Sequence, residues 1–182
     1  MTTVNARGMR TLLGLAALFF VPLFLAFALY YGGGWRPAQS TNHGVLLTHP
    51  VKITAPWPAD KWTLVQVGTA RCDDACRKAL HVTRQTWLSL AKDLDRVQRV
   101  LIAPGDCCEA VFLAQEHASL IRIDSTGSVG RALLDALPPG TPDQTIWLVD
   151  PLGNVIMTFD SRDNPKGLLA DLRKLLNLSH IG

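Results

Sequence analysis

From Leu12 to Tyr31 the chain is almost purely apolar, interrupted only by Gly14 and Pro22. About 20 such residues suffice for a helix that crosses a bilayer. No charge occurs from Thr11 to Gly34, whereas Arg7 and Arg10 precede the run and Arg36 follows it. The asymmetry predicts a single span with the N-terminus in the cytoplasm and the rest of the chain outside. A cleaved signal peptide is the competing reading, because Ala26-Phe27-Ala28 has the small-x-small form of a cleavage site. The run is longer than a usual signal core, and bulky Leu29, Tyr30 and Tyr31 follow that site, so a retained anchor over residues 1–34 is expected. Gly32 to Gly34, Pro37, Ser40, Thr41, Asn42 and Gly44 then read as a tether, residues 35–58. Within it, Val45-Leu46-Leu47 and Val51-Lys52-Ile53 predict a short hairpin around His49-Pro50.

Beyond Pro58 the pattern becomes regular. Trp62 to Val67 is a β-rich run closed by Gly68. Ala75, Ala79, Leu80, Thr83, Trp87, Leu90 and Leu94 recur at helical spacing and predict a helix from Asp73 to Leu94. A strand over Val97 to Ala103, a short helix from Cys108 to His117, a strand over Leu120 to Ile123 and a helix from Val129 to Leu137 follow. Thr145 to Val149 and Asn154 to Phe159 predict a hairpin turning through Asp150-Pro151-Leu152-Gly153. The last helix, from Pro165 to Leu176, buries Leu168, Leu169, Leu172, Leu175 and Leu176. Strands alternating with helices and closing on a hairpin imply an α/β fold, a thioredoxin-like sandwich over residues 59–182, behind an N-terminal transmembrane helix.

Composition supports one folded domain. Of 182 residues, 48% are hydrophobic and only 18% charged, which excludes a disordered chain. The net charge is +3, with Arg7 and Arg10 contributing two of those charges ahead of the span, so the domain is nearly neutral and no nucleic-acid partner is expected. No Ser/His/Asp arrangement, H-E-x-x-H or P-loop occurs, which leaves hydrolase and nucleotide-dependent chemistry without support.

The chemistry lies in four cysteines, all after the anchor and hence in an oxidising compartment if the domain is periplasmic. Cys72 and Cys76 fall between the first strong strand and the long helix, where a helix N-terminus favours thiolate and lowers a cysteine pKa. Spacing of four predicts that they share one helical face, able to close a disulfide or hold one soft metal ion. Asp73 and Asp74 oppose thiolate formation by like charge, and Arg71 and Arg77 offset them. Cys107 and Cys108 follow the second strand at the same sheet edge, as accessory resolving thiols or extra ligands, or as ordinary packing cysteines.

Lys61-Trp62-Thr63-Leu64-Val65 with Gly68, Cys72, Asp74, Cys76 and Leu80 resembles the strand-loop-helix of the SCO/SenC copper-insertion proteins, and Leu148-Val149-Asp150-Pro151-Leu152-Gly153 is similar to that family's late hairpin. The resemblance covers about residues 60–176 plus the anchor. It implies a thioredoxin-fold assembly factor for cytochrome c oxidase in which two cysteines, here Cys72 and Cys76, and a later histidine bind copper. The stretch that would carry the histidine, Gly140 to Thr145, has none, and the prolines usual in and after the family's cysteine motif are absent. This makes the chain a divergent SCO-like member. Two thiolates alone would suit Cu(I), whereas Cu(II) prefers N and O ligands.

The histidines predict no metal-binding pair. His81 should point about 140° away from the dithiol face, and His117 should sit protonated at a helix C-terminus. His43 and His49 lie where they can swing over the site. Trp62, Trp87 and Trp147 are expected in the core, Trp35 at the membrane interface and Trp57, between two prolines, exposed to a partner. Lys92, Asp93, Asp95, Arg96 and Arg99 read as a solvated face.

The expected function is a copper-handling assembly factor on the inner membrane with its domain in the periplasm, serving an oxidase subunit or another copper or thiol client. The alternative is a periplasmic thiol-disulfide oxidoreductase in which one cysteine attacks and the other resolves. A permanent structural bridge is the third reading.

Overall fold

Ala6–Tyr31 forms one helix, α1, in the computed structural model, which describes residues 6–32, 41–58, 60–179 and 181. Gly8–Tyr31 of this helix is long and apolar enough to cross a membrane. The chain divides into two compact units, Met1–Ser40 and Thr41–Gly182. The expectations placed on Gly33, Gly34, Trp35, Arg36, Pro37 and Ser40 lie outside the described residues, as does His180.

The second unit is built on a six-stranded sheet in the order β1-β6-β5-β2-β3-β4. Its strands are β1 (Val45–Lys52), β2 (Trp62–Val67), β3 (Val97–Ala103), β4 (Leu120–Asp124), β5 (Thr145–Val149) and β6 (Asn154–Asp160). β2, β3 and β4 run parallel, while β5 and β6 add the antiparallel pair. The helices are α2 (Asp74–Leu88), α3 (Ala110–Glu116), α4 (Ser128–Ala136) and α5 (Pro165–Leu178). Because β2 is covered on both faces, its sequence shows no polar alternation. Leu64 faces a core with Leu148, Leu168 and Leu172, and Val65 faces another with Val100, Leu133 and Trp147.

Local chemistry explains the boundaries. Asp150 Oδ1 accepts from the N–H groups of Leu152 and Asn154, and Gly153 takes φ +85°, closing the β5–β6 turn. Asn164 caps α5 by accepting from Lys166 N–H, with Pro165 in the first turn.

Several expectations need correction. The early hairpin is one strand: Val45 to Lys52 pairs with β6 at both of its ends, Val45 and Leu46 with Thr158 and Met157 and Val51 and Lys52 with Val155 and Asn154, across a register break between Leu46 and Val51. The long helix stops at Leu88. Ala91 takes φ +53° and a 3₁₀ turn, Ala91–Arg96, follows, held by Trp87 Nε1 donating to the Leu94 and Val97 carbonyls. The apolar spacing at Leu90 and Leu94 therefore extends past the helix that begins it. Trp57 is half-buried against the Val65 core rather than displayed to a partner. Arg99 is not on a solvated face but 1% exposed within β3.

Arg99 donates to Ser119 Oγ and lies over the Trp87 ring, and its Nη1 is 3.3 Å from His117 Nδ1. An arginine can only donate, so Nδ1 is the acceptor and the imidazole is neutral. Burial, and then the Arg99 charge, lowers the His117 pKa to about 4, which corrects the expected protonated helix cap. Burial likewise lowers Arg99 to about 10.

Candidate functional site

The four cysteines converge where the carboxyl ends of the parallel strands meet the start of α2. Gly68 ends β2, and a Cβ there would stand 3.1 Å from the Ala103 Cβ of β3, so a side chain would crowd the strand end that launches the cysteine loop. Cys72 lies in that loop, before the helix. Asp73 is the N-cap, its carboxylate accepting from Ala75 and Cys76 N–H. Cys76 therefore sits in the first turn of α2. The two cysteines meet because the chain turns into the helix, and not, as the spacing suggests, because both ride one helical face. They are joined by a disulfide with Cα atoms 5.1 Å apart.

Cys107 and Cys108 reach the same corner from the end of β3 and form a vicinal pair. A turn bond from Cys107 N–H to the Pro104 carbonyl directs Cys107 inward, where it is 3% exposed beside Cys76, Leu80 and Leu101. Cys108 takes φ +68°, a left-handed conformation that few non-glycine residues adopt and that surrounding structure must hold. Its sulfur, with those of Cys72 and Cys76, completes a group whose members all lie within 4.8 Å of one another. Cys72 and Cys108 open onto a pocket of about 330 Å³, shared with Arg71, Arg77, Asp106 and Glu109. Arg77 ties α2 to this rim, 3.4 Å from Glu109 and over the Phe112 ring.

Among the described residues no histidine joins the sulfur cluster. His43 does not swing over it, because its backbone N–H and Nδ1 engage Asp171 of α5. His117 is taken by Arg99. His49 and His81 are exposed, the latter as its helical angle predicts.

Asp143 is the residue that sequence reasoning missed. It lies in the Gly140 to Thr145 stretch that lacks the family histidine. Its N–H donates to the Val67 carbonyl, and its carboxylate accepts from Thr69 N–H at 3.2 Å and Thr69 Oγ1 at 2.7 Å. The signal was an acidic residue in that same polar stretch. Asp143 therefore positions the loop that bears Cys72. Asn tolerates the φ of +62° found there but offers one acceptor oxygen for two donors, so Asp143→Asn should cost about 1–2 kcal/mol. It should also speed reduction of the Cys72–Cys76 disulfide. Denaturation of the full-length protein in detergent, with timed thiol alkylation, checks both.

Chemically the corner can cycle between disulfide and dithiol, and when reduced it offers three thiolates to one soft ion. A family model described as "Transmembrane-like, thioredoxin-like, C-terminal domain" matches residues 62–179. Comparison with curated proteins finds no match. Among solved structures, apo Sco1 from Thermus thermophilus is 21% identical with a TM-score of 0.59, covering 76% of this chain and 99% of its own. Copper-bound yeast Sco1 is 17% identical with a TM-score of 0.54, covering 65% of this chain and 80% of its own. Copper-bound ScoI from Arabidopsis thaliana is 12% identical with a TM-score of 0.53, covering 77% of this chain and 100% of its own. At these identities the likeness is one of fold, and the fold is the thioredoxin-like one that the SCO/SenC resemblance implies. With the model match running from the start of β2 through α5, the chain belongs to the family of transmembrane-like proteins with a thioredoxin-like C-terminal domain.

Proposed function

We propose that this protein is a membrane-anchored, extracytoplasmic copper-handling factor that acts in maturation of the cytochrome c oxidase copper site. Copper is its cargo, and the client is an oxidase subunit or another copper or thiol protein. The observation that carries the reading is the approach of the Cys72, Cys76 and Cys108 sulfurs to within 4.8 Å of one another. That donor set fits Cu(I), a soft ion content with thiolates and low coordination, and does not fit Cu(II). Copper bound in the yeast and Arabidopsis proteins of the same fold supports it. Cys108 supplies the third donor that the resemblance would have sought in a histidine. Arg7 and Arg10, in the first turns of α1 and ahead of its apolar run, support an inner-membrane protein with its N-terminus in the cytoplasm and its domain in the periplasm.

Anaerobic titration of the reduced full-length protein against a competing Cu(I) chelator tests the reading. Binding of one Cu(I), weak binding of Cu(II) and loss of both in the Cys72→Ser, Cys76→Ser double variant are expected. Absence of Cu(I) binding in the reduced wild type would move the assignment to a thiol-disulfide oxidoreductase. The observation favouring that second reading is the Cys72–Cys76 disulfide with one sulfur at the pocket and its partner buried.

A further inference from the structure

The two cysteine pairs are built alike. In each, one member lines the pocket, Cys72 or Cys108, and the other is buried, Cys76 at 2% and Cys107 at 3% exposure. The two pocket-facing sulfurs belong to different pairs yet lie within 4.8 Å of each other. Two independent structural bridges need no such meeting, nor a left-handed backbone at Cys108 to bring it about.

We propose that Cys107 and Cys108 are a second redox pair that returns the Cys72–Cys76 disulfide to the dithiol by internal exchange. The Cys108 thiolate attacks Cys72 Sγ. The Cys72–Cys76 bond breaks, its electron pair leaves on Cys76, and a Cys72–Cys108 bond forms. Cys76 is the suitable leaving group because it lies in the first turn of α2, where the helix N-terminus favours a thiolate. The Cys107 thiolate then attacks Cys108 Sγ, the Cys72–Cys108 bond breaks, and Cys72 leaves as thiolate. Two electrons have moved from the Cys107/Cys108 dithiol to the Cys72–Cys76 disulfide, and the protons exchange with water. The oxidised Cys107–Cys108 pair is reset by a dithiol of an external protein entering at the pocket. Since Cys108 is also the third sulfur of the metal group, its oxidation state decides whether that group offers three donors or two.

The inference rests on the dithiol reading of the site and not on copper. Its test is the Cys107→Ser variant of the full-length protein in detergent, which can take the first step but not the second. After equilibration with oxidised and reduced glutathione, acid quenching and alkylation, peptide mapping by mass spectrometry should find a Cys72–Cys108 disulfide with Cys76 alkylated. That species should be lost in the Cys107→Ser, Cys108→Ser double variant. If the single variant shows only the Cys72–Cys76 disulfide with Cys108 alkylated, or separate glutathione adducts, the exchange is overturned. Circular dichroism matching the wild type establishes that each variant is folded. The Cu(I) titration is run separately on the fully reduced wild type, so a trapped mixed disulfide in the variant with no Cu(I) binding by the reduced wild type would sink the copper reading alone, and the reverse pattern would sink the exchange alone.

Discussion

Lowering the pH from 7 to 4 should destabilise the folded protein by up to roughly 3 kcal/mol through His117 alone. The native imidazole has a pKa of about 4 against an ordinary 6.5. Below 6.5 the unfolded chain takes up a proton that the folded chain refuses, so stability falls as pH falls and levels off below about 4. The slope is about 1.4 kcal/mol per pH unit. The cause is geometric: His117 is 4% exposed, with its Nδ1 facing the Arg99 guanidinium. Arg84 and His81 add to the effect and Glu116 opposes it. His117→Gln keeps an acceptor for Arg99 without a titrating ring. Denaturation midpoints measured at intervals across this range in full-length protein should lose about one proton of pH dependence in the variant. An unchanged slope would assign the acid sensitivity to other groups.

Leu64→Ala should cost about 2–5 kcal/mol. Leu64 and Leu148 are register partners in β2 and β5, both fully buried, with α5 packed over them through Leu168 and Leu172. These three neighbours, held in a sheet and a capped helix, collapse poorly into the space a lost isobutyl group leaves. Leu152→Ala, at an exposed turn position, is the control and should change stability by no more than about 0.5 kcal/mol. Equal losses at the two positions would contradict the core described for β2.

The elements of the domain were legible where the hydrophobic period was long and ended in a chemical stop. The β2, β3 and β5 runs and the capped α5 are found where pattern and turn residues place them. Reading fails where two structures share one pattern. Leu90 and Leu94 satisfy a helical period, yet a positive φ at Ala91 and the indole of Trp87 turn that stretch into 3₁₀. Val45 to Lys52 contains a proline that suggests a turn, but an edge strand tolerates proline, and the partner strand lies more than a hundred residues ahead. At the site, the position of Cys72 and Cys76 at a strand-to-helix junction was visible in order and spacing. The selection of Cys108 over Cys107 was not, because it belongs to a local turn in which Cys107 N–H bonds the Pro104 carbonyl and Cys108 takes a positive φ. Asp143 and Asp171 hold distant segments through side-chain acceptors, and such long-range bonds leave no periodic trace.

The outer strands of the sheet, β1 and β4, bear on how molecules of this protein behave when crowded together. An exposed strand margin is a template on which another copy can add, and β1 displays Val45 and Leu46 to solvent. Pro50 lacks an N–H, the register break between Leu46 and Val51 interrupts the ladder, and Lys52 ends the strand with a charge. β4 is only five residues long and carries Arg122 and Asp124. Neither margin presents a long, flat row of donors and acceptors, so strand addition between copies, and the fibrous aggregation it would seed, is opposed at both ends of the sheet.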